Sequence, residues 1–265
     1  MKPRMLVATV VAALLAGCAT SPTGRSQLMM VSDAQMSQMG LASFNQMRQQ
    51  GKFANAPKER AYATCVANAL VAVLPAPWNT QQWEVQIVDD DSANAFALPG
   101  GRIGVNRGMF KVASDQDQLA VVLGHELSHV VARHGAERVS DNMAAQAAVA
   151  AGTIYAGTRG SDAGNVAALL GAGATVGVLL PFSRTQEAEA DTLGQRYMAQ
   201  AGFDPRAAVT LWDKMEKQGG SRTPAFLSTH PAPDKRAEVL GRQAQQLLPV
   251  YQQARASGHS PNCRL

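Results

Sequence analysis

Apolar residues recur at helical spacing in the middle of the chain, within residues 119–138. The positions that share one face are Leu119, Val122, Leu123, Leu127 and Val130. Spacings of three and four residues predict an amphipathic helix with one buried side. Ser114 precedes this run and Asp117 follows three residues later, so the sequence predicts that Ser114 caps the helix.

Comparable patterns predict the other elements. Further helices are predicted at 32–50, 59–74, 183–200 and 203–218, and a last one from Pro233 or Asp234 to Tyr251. Alternating polarity predicts a strand at 83–88, and residues 94–106 predict a β-hairpin around a Pro-Gly-Gly turn. The first arm of this hairpin either offers an open edge or packs on the core. The expected fold is mostly α with a small β-sheet (α+β).

Residues 144–182 are unusually rich in alanine and glycine. Two apolar arms, 144–156 and 166–182, flank a polar stretch, and glycines interrupt the second arm. Neither arm is long enough to cross a bilayer comfortably. We expect a helical hairpin that packs over the body of the domain, and contact with the membrane interface is the alternative.

The N-terminal residues have the pattern of an export signal. Lys2 and Arg4 precede an apolar stretch at 6–15, and the sequence Leu-Ala-Gly-Cys ends at Cys18. This pattern predicts a lipoprotein signal peptide at 1–17 and acylation of Cys18, the alternative being an ordinary secretory signal with a chance cysteine. Alanine at position 19, rather than aspartate, favours the periplasmic face of the bacterial outer membrane.

The predicted lipoprotein has three expected parts. Residues 18–31 contain Ser, Pro and Gly and predict a flexible, lipid-anchored tether, and 32–265 are expected to form the folded domain. With Cys18 acylated, Cys65 and Cys263 remain, and export to an oxidising compartment favours a disulfide between them over two separate thiols.

Charge gives no indication of a nucleic-acid partner. Loss of Lys2 and Arg4 with the signal would remove two positive charges from a net charge of +4. No basic run interleaved with aromatic residues occurs in the chain. We therefore expect protein substrates and a membrane contact through the lipid, and no nucleic acid.

The sequence His125-Glu126-Leu127-Ser128-His129 carries the candidate chemistry. Helical residues four apart lie about 40° apart around the axis, so His125 and His129 can point at one cation. Glu126 then lies to the side of the pair, as in the H-E-x-x-H arrangement of zinc hydrolases. The alternatives are a chance match, surface histidines, or histidines satisfied within the core.

Two histidines leave a catalytic zinc ion one protein ligand short. His134 lies about half a turn around the same predicted helix and is excluded, whereas His230 and His259 lie in predicted loops and stay candidates. Glu187 is favoured, because Asp191 lies one turn later and can orient a ligating histidine. The alternative is a solvated charged face.

Four motifs in this order resemble the HtpX/CaaX-prenyl-protease family of zinc metallopeptidases. They are N-A-F-A at 94–97, H-E-x-x-H at 125–129 followed by Arg133 and His134, S-R-x-x-E-x-x-A-D at 183–191, and S-T-H-P at 228–231 followed by Arg236. The resemblance implies a zincin-like fold with Glu187 as the third zinc ligand and Asp191 behind the ligands. It also implies that Asn94, Ala95, Phe96 and Ala97 form a substrate-binding edge strand. His230 becomes a candidate partner of the transition state.

The expected function follows from this resemblance. The family's transmembrane helices are missing, so the chain is similar to the exported, LoiP-like lipoprotein branch. We expect a zinc endopeptidase with one Zn²⁺ per chain, with His230 and Glu126 as catalytic residues. Its substrates would be unfolded or misassembled envelope proteins, and the outer-membrane assembly machinery is a further candidate partner. The alternative is a non-catalytic, chaperone-like scaffold lipoprotein; a structural zinc site is disfavoured because the cysteines lack ligand spacing.

Overall fold

The computed structural model describes residues 18–158, 182–219, 225–233 and 235–265. The predicted signal peptide and most of the second Ala/Gly-rich arm lie outside these ranges. Among the described residues, no helix combines the length and the apolar character needed to cross a bilayer. The described residues form two compact units, a smaller one from 18–33 and 133–158 and a larger one from 34–132 and the residues after 181.

Helices dominate both units. They are α1 (Asp33–Gln49), α2 (Pro57–Val71), α3 (Met109–Val112), α4 (Gln116–Val131), α5 (His134–Thr158), α6 (Arg184–Gln200), α7 (Ala207–Gly219), α8 (Ala225–Thr229) and α9 (Arg236–Ala256). The strands are β1 (Cys18–Thr20), β2 (Ser26–Leu28), β3 (Glu84–Val88), β4 (Ala95–Leu98) and β5 (Arg102–Asn106). The prediction of a mostly helical α+β fold with a small sheet is confirmed.

The larger unit contains a three-stranded sheet with the order β3-β5-β4. Strands β3 and β5 are parallel, while β4 and β5 form the antiparallel hairpin, with Ala95 opposite Val105. Gly100 and Gly101 in the turn have φ angles of 86° and 78°, a region that favours glycine. Within the described ranges, no strand pairs with the other edge of β4. The first arm of the hairpin is therefore an edge strand.

The core of the larger unit lies between this sheet and the helices α2, α4, α6 and α7. Its largest fully buried side chains include Trp212, Phe203, Phe226, Leu119, Leu123 and Leu127. Every residue of α4 from Gln118 to Val131 is buried, so α4 is a central helix rather than a surface helix. A disulfide joins Cys65 of α2 to Cys263 and ties the C-terminal tail to the core.

Helix α4 differs from its prediction at both ends. Asp115, not Ser114, is the N-cap, because its carboxylate accepts a hydrogen bond from the backbone N–H of Gln118 at 2.8 Å. The helix stops at Val131 instead of continuing to 138, since Arg133 takes a left-handed conformation with φ 59° and redirects the chain. The sequence does not signal this stop clearly, because the left-handed residue is an arginine, and the nearby glycine, Gly135, lies inside α5.

The smaller unit contains two short strands within 18–31, the segment for which the sequence predicts a flexible, lipid-anchored tether. Strands β1 and β2 pair in an antiparallel hairpin, and Arg25 forms an ion pair with Glu137 of α5. The side chain of Gln27 is buried and donates a hydrogen bond to Glu137 at 3.1 Å. The backbone N–H of Met30 donates to the hydroxyl of Ser140 at 2.8 Å. This segment is therefore held against the first turns of α5.

Candidate metal centre

Two glycines bring the helices of the site into direct contact. A methyl group at Gly194 of α6 would lie 2.8 Å from the carbonyl carbon of Gly124 and 2.8 Å from the backbone nitrogen of His125, both on α4. Those distances are too short for a side chain at position 194, whereas a Cβ at Gly124 would lie 3.1 Å from the Gly194 carbonyl oxygen, which is tight. The close approach of the two backbones therefore requires glycine at position 194 above all. The crossing places the first half of α6 beside His125.

The start of α6 is fixed by a capping box. The Ser183 hydroxyl accepts a hydrogen bond from the Gln186 N–H at 3.2 Å, and the Gln186 side chain accepts one from the Ser183 N–H at 3.0 Å. Reciprocal capping of this kind sets where the first turn begins. Glu187 follows in that turn and is completely buried.

Four buried side chains bring their ligand atoms together. The metal-binding atoms of His125, His129, Glu187 and His230 all lie within 4.8 Å of one another. The Nε2 atoms of His125 and His129 are 3.0 Å apart, and Glu187 oxygens lie 3.2 and 3.4 Å from them. His230 Nδ1 lies 3.0 Å from Glu187 Oε1 and 3.3 Å from His125 Nε2. His259 is outside this cluster and bonds the carbonyl of Gln200 instead.

This donor set fits a zinc ion. Two imidazoles and one carboxylate are a common ligand set of catalytic zinc, and buried ionisable groups are costly unless they are paired or metallated. Glu187 Oε2 is buried and accepts no hydrogen bond from the described residues, although His125 Nε2 lies nearby. A cation between these atoms would satisfy that oxygen.

The electrostatics of the cluster also favour a cation. Burial alone would lower the pKa of His125, but the carboxylates of Glu187 and Asp191 outweigh it and raise that pKa to about 9. Burial would raise the pKa of Glu187, and the surrounding histidines lower it well below its usual range. The carboxylates around His125 therefore favour a positive charge at this point of the cluster, which a bound metal ion would also supply.

Asp191 orients the first histidine. Its Oδ1 lies 2.9 Å from Nδ1 of His125, which leaves Nε2 of the same ring directed at the cluster. Burial alone would raise the pKa of Asp191. The charge of Arg236 and the hydrogen bond with His125 outweigh burial, so the pKa is lowered overall. Asp191 is thus an ionised hydrogen-bond acceptor behind the His125 ring.

Glu126 lies between the cluster and the edge strand. The backbone N–H of Ala97 in β4 bonds the Glu126 carboxyl group, and Glu126 Oε1 lies 3.5 Å from Nε2 of His230. Burial raises the pKa of Glu126 despite the nearby histidines. Of the four predicted edge residues, Ala97 is therefore the one that meets the candidate base.

The other three predicted edge residues are not part of the four-residue cluster: Ala95 and Phe96 lie in β4, and Asn94 immediately precedes it. The Phe96 ring covers Gly104 of the neighbouring strand, where a Cβ would lie 2.2 Å from the ring. Asn94 accepts a hydrogen bond from the backbone N–H of Ala95 through its side chain at 3.0 Å. It also accepts one from the N–H of Asn106 through its carbonyl, at 3.0 Å.

The aromatic rings that surround the histidines were not predicted from the sequence. Phe182 stacks on His129 with 3.9 Å between ring centroids, and Phe226 stacks on His230 at 4.3 Å. Trp212 lies edge-on to His125 at 5.9 Å. Phe226 has a usable signal, because it precedes His230 by one helical turn. Trp212 has none, because it reaches the site from a separate helix.

Several curated proteins have related sequences. Mitochondrial metalloendopeptidase OMA1 of Schizosaccharomyces pombe is 38% identical over 193 residues, which cover 72% of this chain and 53% of that protein. The beta-barrel assembly-enhancing protease of Escherichia coli K12 is 32% identical over 266 residues, which cover 94% of this chain and 54% of that protein. The chain spans about half the length of these relatives.

The family comparison covers the whole site. The sequence profile of Peptidase family M48 matches residues 57–244, which include the β-hairpin, the four-residue cluster and Asp191. The match is to the family as a whole and does not single out an HtpX-like or LoiP-like branch. It confirms the predicted enzyme class, a zinc metalloendopeptidase, and the predicted zinc cofactor, for which the cluster provides the ligands. The chain belongs to peptidase family M48.

Proposed function

We propose that this chain is a zinc-dependent endopeptidase of the bacterial envelope that cleaves unfolded or misassembled proteins. One observation carries the catalytic part: a buried His125–His129–Glu187 cluster lies beside Glu126, and Glu126 contacts an edge strand. Ligands, candidate base and a site for an extended chain occur together. A structural metal site would need only the first of these.

In this proposal His125, His129 and Glu187 would hold a zinc ion, and the chemistry that the ion would supply is activation of a water molecule and polarisation of the scissile carbonyl. Glu126 accepts the proton of the attacking water and delivers it to the leaving amine. Burial raises its pKa, which suits a group that takes up a proton and releases it again. His230, 3.5 Å from Glu126 Oε1, donates to the oxyanion that develops on the carbonyl.

The edge of β4 supports a substrate that binds in extended form. Strand β4 has β5 on one side, and no described strand covers the other side. An open strand edge binds extended peptides through backbone hydrogen bonds, which supply the affinity, while pockets for alternate side chains supply the specificity. Folded proteins rarely offer such a segment, so substrates would be unfolded or misassembled chains.

The location is a separate part of the proposal. The sequence Leu-Ala-Gly-Cys ending at Cys18 supports export and acylation, which would put the enzyme on the periplasmic face of the outer membrane. A relative named beta-barrel assembly-enhancing protease supports a role near outer-membrane assembly. The proposal therefore includes membership of the LoiP-like lipoprotein branch.

The decisive experiment compares wild type with Glu126→Gln in zinc content and casein cleavage. The variant should keep its zinc, because the ligands stay, and should lose cleavage by about 10²–10⁴-fold, because the base is gone. Glu238→Gln, an exposed carboxylate on α9, serves as the matched control and should cleave like wild type. Undiminished cleavage by Glu126→Gln would overturn the mechanism. Absence of cleavage by the wild type would favour a scaffold role.

A further inference from the structure

Arg236, the first residue of α9, is a buried cation behind the metal centre. Only 4% of its surface is exposed. Its Nη2 atom lies 2.7 Å from Asp191 Oδ1 and 3.8 Å from Glu187 Oε2. The guanidinium carbon lies 3.5 Å from the centre of the Trp212 ring. The proposed mechanism gives this residue no task.

We propose that Arg236 is a positioning residue that, stacked on Trp212, fixes Asp191 and through it the metal-binding orientation of His125. This inference rests on the proposed zinc site. Trp212 stacks on Arg236, Arg236 bonds Asp191, and Asp191 bonds His125, which is a proposed zinc ligand. Each contact in the series is buried.

The hydrogen bonds of Asp191 show why a second partner is needed. Oδ1 accepts from both His125 Nδ1 and Arg236 Nη2, whereas Oδ2 is buried and accepts nothing from the described residues. A carboxylate held by the histidine alone could turn about its own axis and let the ring rotate with it. Because both the His125 ring and the Arg236 guanidinium donate to Oδ1, the carboxylate cannot turn without breaking one of the two hydrogen bonds.

Trp212 fixes the plane of the guanidinium. A flat, delocalised cation stacks on an aromatic face and still presents its N–H groups sideways, which an ammonium group cannot do. Trp212 also contacts the edge of the His125 ring. One aromatic side chain therefore supports both the arginine and the histidine that it orients.

The buried location of Arg236 lowers the stability of the fold unless its contacts compensate. A cation in the first turn of a helix opposes the helix dipole, and a buried guanidinium loses its hydration. Nε and Nη1 of Arg236 are also buried and make no hydrogen bond to the described residues. The contacts with Asp191 and Trp212 are what offset these costs.

The test measures the zinc dissociation constant of the purified full chain by competition with a chelator. Arg236→Met removes the charge at similar length and should weaken zinc binding about 10–100-fold, the usual effect of losing an outer partner of a ligand. Arg236→Lys keeps the charge without the stacked fork and should fall between Arg236→Met and wild type. Arg242→Met, an exposed arginine on the same helix, should bind zinc like wild type.

A double-mutant cycle separates positioning from general damage to the fold. In an Asp191→Asn background, Arg236→Met should change the zinc dissociation constant by less than about twofold, because its effect passes through Asp191. Additive effects would overturn the proposal, and so would wild-type zinc affinity in both Arg236 variants. If Arg236→Met does not fold, the same double-mutant cycle with Arg236→Lys and Asp191→Asn tests the proposal instead. A wild type that binds no zinc would instead refute the proposed function.

Discussion

At the scale of single residues, the metal centre is a set of ionisable groups in an apolar surrounding. His125, His129, Glu187 and His230 are all buried, and phenylalanine rings stack on two of the histidines. Such groups are tolerated only when each charge has a partner. Each ligand therefore also compensates the charge of the others. Removing one should weaken metal binding by more than the loss of its own bond to the metal.

Glu187 and His230 can be told apart by the metal content of single variants. Glu187→Ala removes the one charged ligand and should reduce zinc affinity by at least about 100-fold. His230→Ala should keep about one zinc per chain and lower turnover, because two histidines and a carboxylate complete a catalytic site without it. Atomic absorption after dialysis, together with casein cleavage, measures both. Metal loss from the His230 variant alone would reverse the two roles.

The sequence reveals the residues of the site whose spacing is local. His125 and His129 are one helical turn apart, and so are Glu187 and Asp191, so helical geometry alone pairs them. Joining the two pairs required the resemblance to a known family. Arg236 belongs to the fourth motif, but the motif does not give its contacts, and Trp212 belongs to none of the motifs. The contacts of both residues depend on how α4, α6, α7 and α9 pack, and no spacing along the chain encodes that packing.

At the scale of elements, the site depends on how closely α4 and α6 cross. The sequence predicts both helices, with α6 displaced by a single residue at its start. It does not predict that Gly124 and Gly194 meet, because isolated glycines in helices also occur where nothing packs against them. The early stop of α4 at Val131 was missed for a related reason: a left-handed arginine has no sequence signature.

Gly194→Ala should damage the metal centre from outside it. The added methyl group would lie 2.8 Å from backbone atoms of α4, so the helices must separate and carry Glu187 away from His125. We expect a loss of about 1–3 kcal/mol in the free energy of unfolding of the metal-free protein, with weaker zinc binding. Chemical denaturation and chelator competition measure the two effects.

Gly241→Ala is the matched control for that prediction. Gly241 also lies in a helix, α9, but its nearest neighbour to an added Cβ is a Val209 methyl at 3.9 Å. The helix should gain up to about 1 kcal/mol from the replacement, with zinc binding unchanged. Equal effects of the two substitutions would contradict the role of the helix crossing.

At the scale of the whole molecule, the disulfide is the longest covalent constraint in the described structure. Cys65 and Cys263 are 198 residues apart in the chain. Replacing both by serine should lower the free energy of unfolding by about 2–5 kcal/mol, because the unfolded chain gains freedom. Denaturation of the double variant and of reduced wild type should agree. The interpretation fails if peptide mapping of the oxidised protein finds two free thiols.

The smaller unit shows where composition misleads. Residues 18–31 contain the Ser, Pro and Gly typical of linkers, yet they form a hairpin held by Glu137 and Ser140. The partners lie 110 residues or more further along the chain, so only the folded structure brings them together. Composition alone therefore does not distinguish this hairpin from a linker.

The lipid itself is tested by Cys18→Ser. The Leu-Ala-Gly-Cys sequence predicts acylation, and none of the described helices could anchor the chain across a bilayer. Without its acyl group the protein should move from the membrane fraction to the soluble periplasmic fraction, because the buried acyl group supplies much of the free energy of membrane binding. Fractionation after a salt wash, with immunodetection, measures this.

Cys263→Ser is the matched control for the lipid anchor, because it replaces a cysteine while leaving position 18 intact, and it should stay with the membrane. Mass spectrometry of the N-terminal peptide should find the acyl group in the control and not in Cys18→Ser. If Cys18→Ser also stays membrane-bound after the salt wash, the lipid is not the anchor. The apolar stretch at 144–182 then becomes the segment to delete, since it has the composition that can enter the membrane interface.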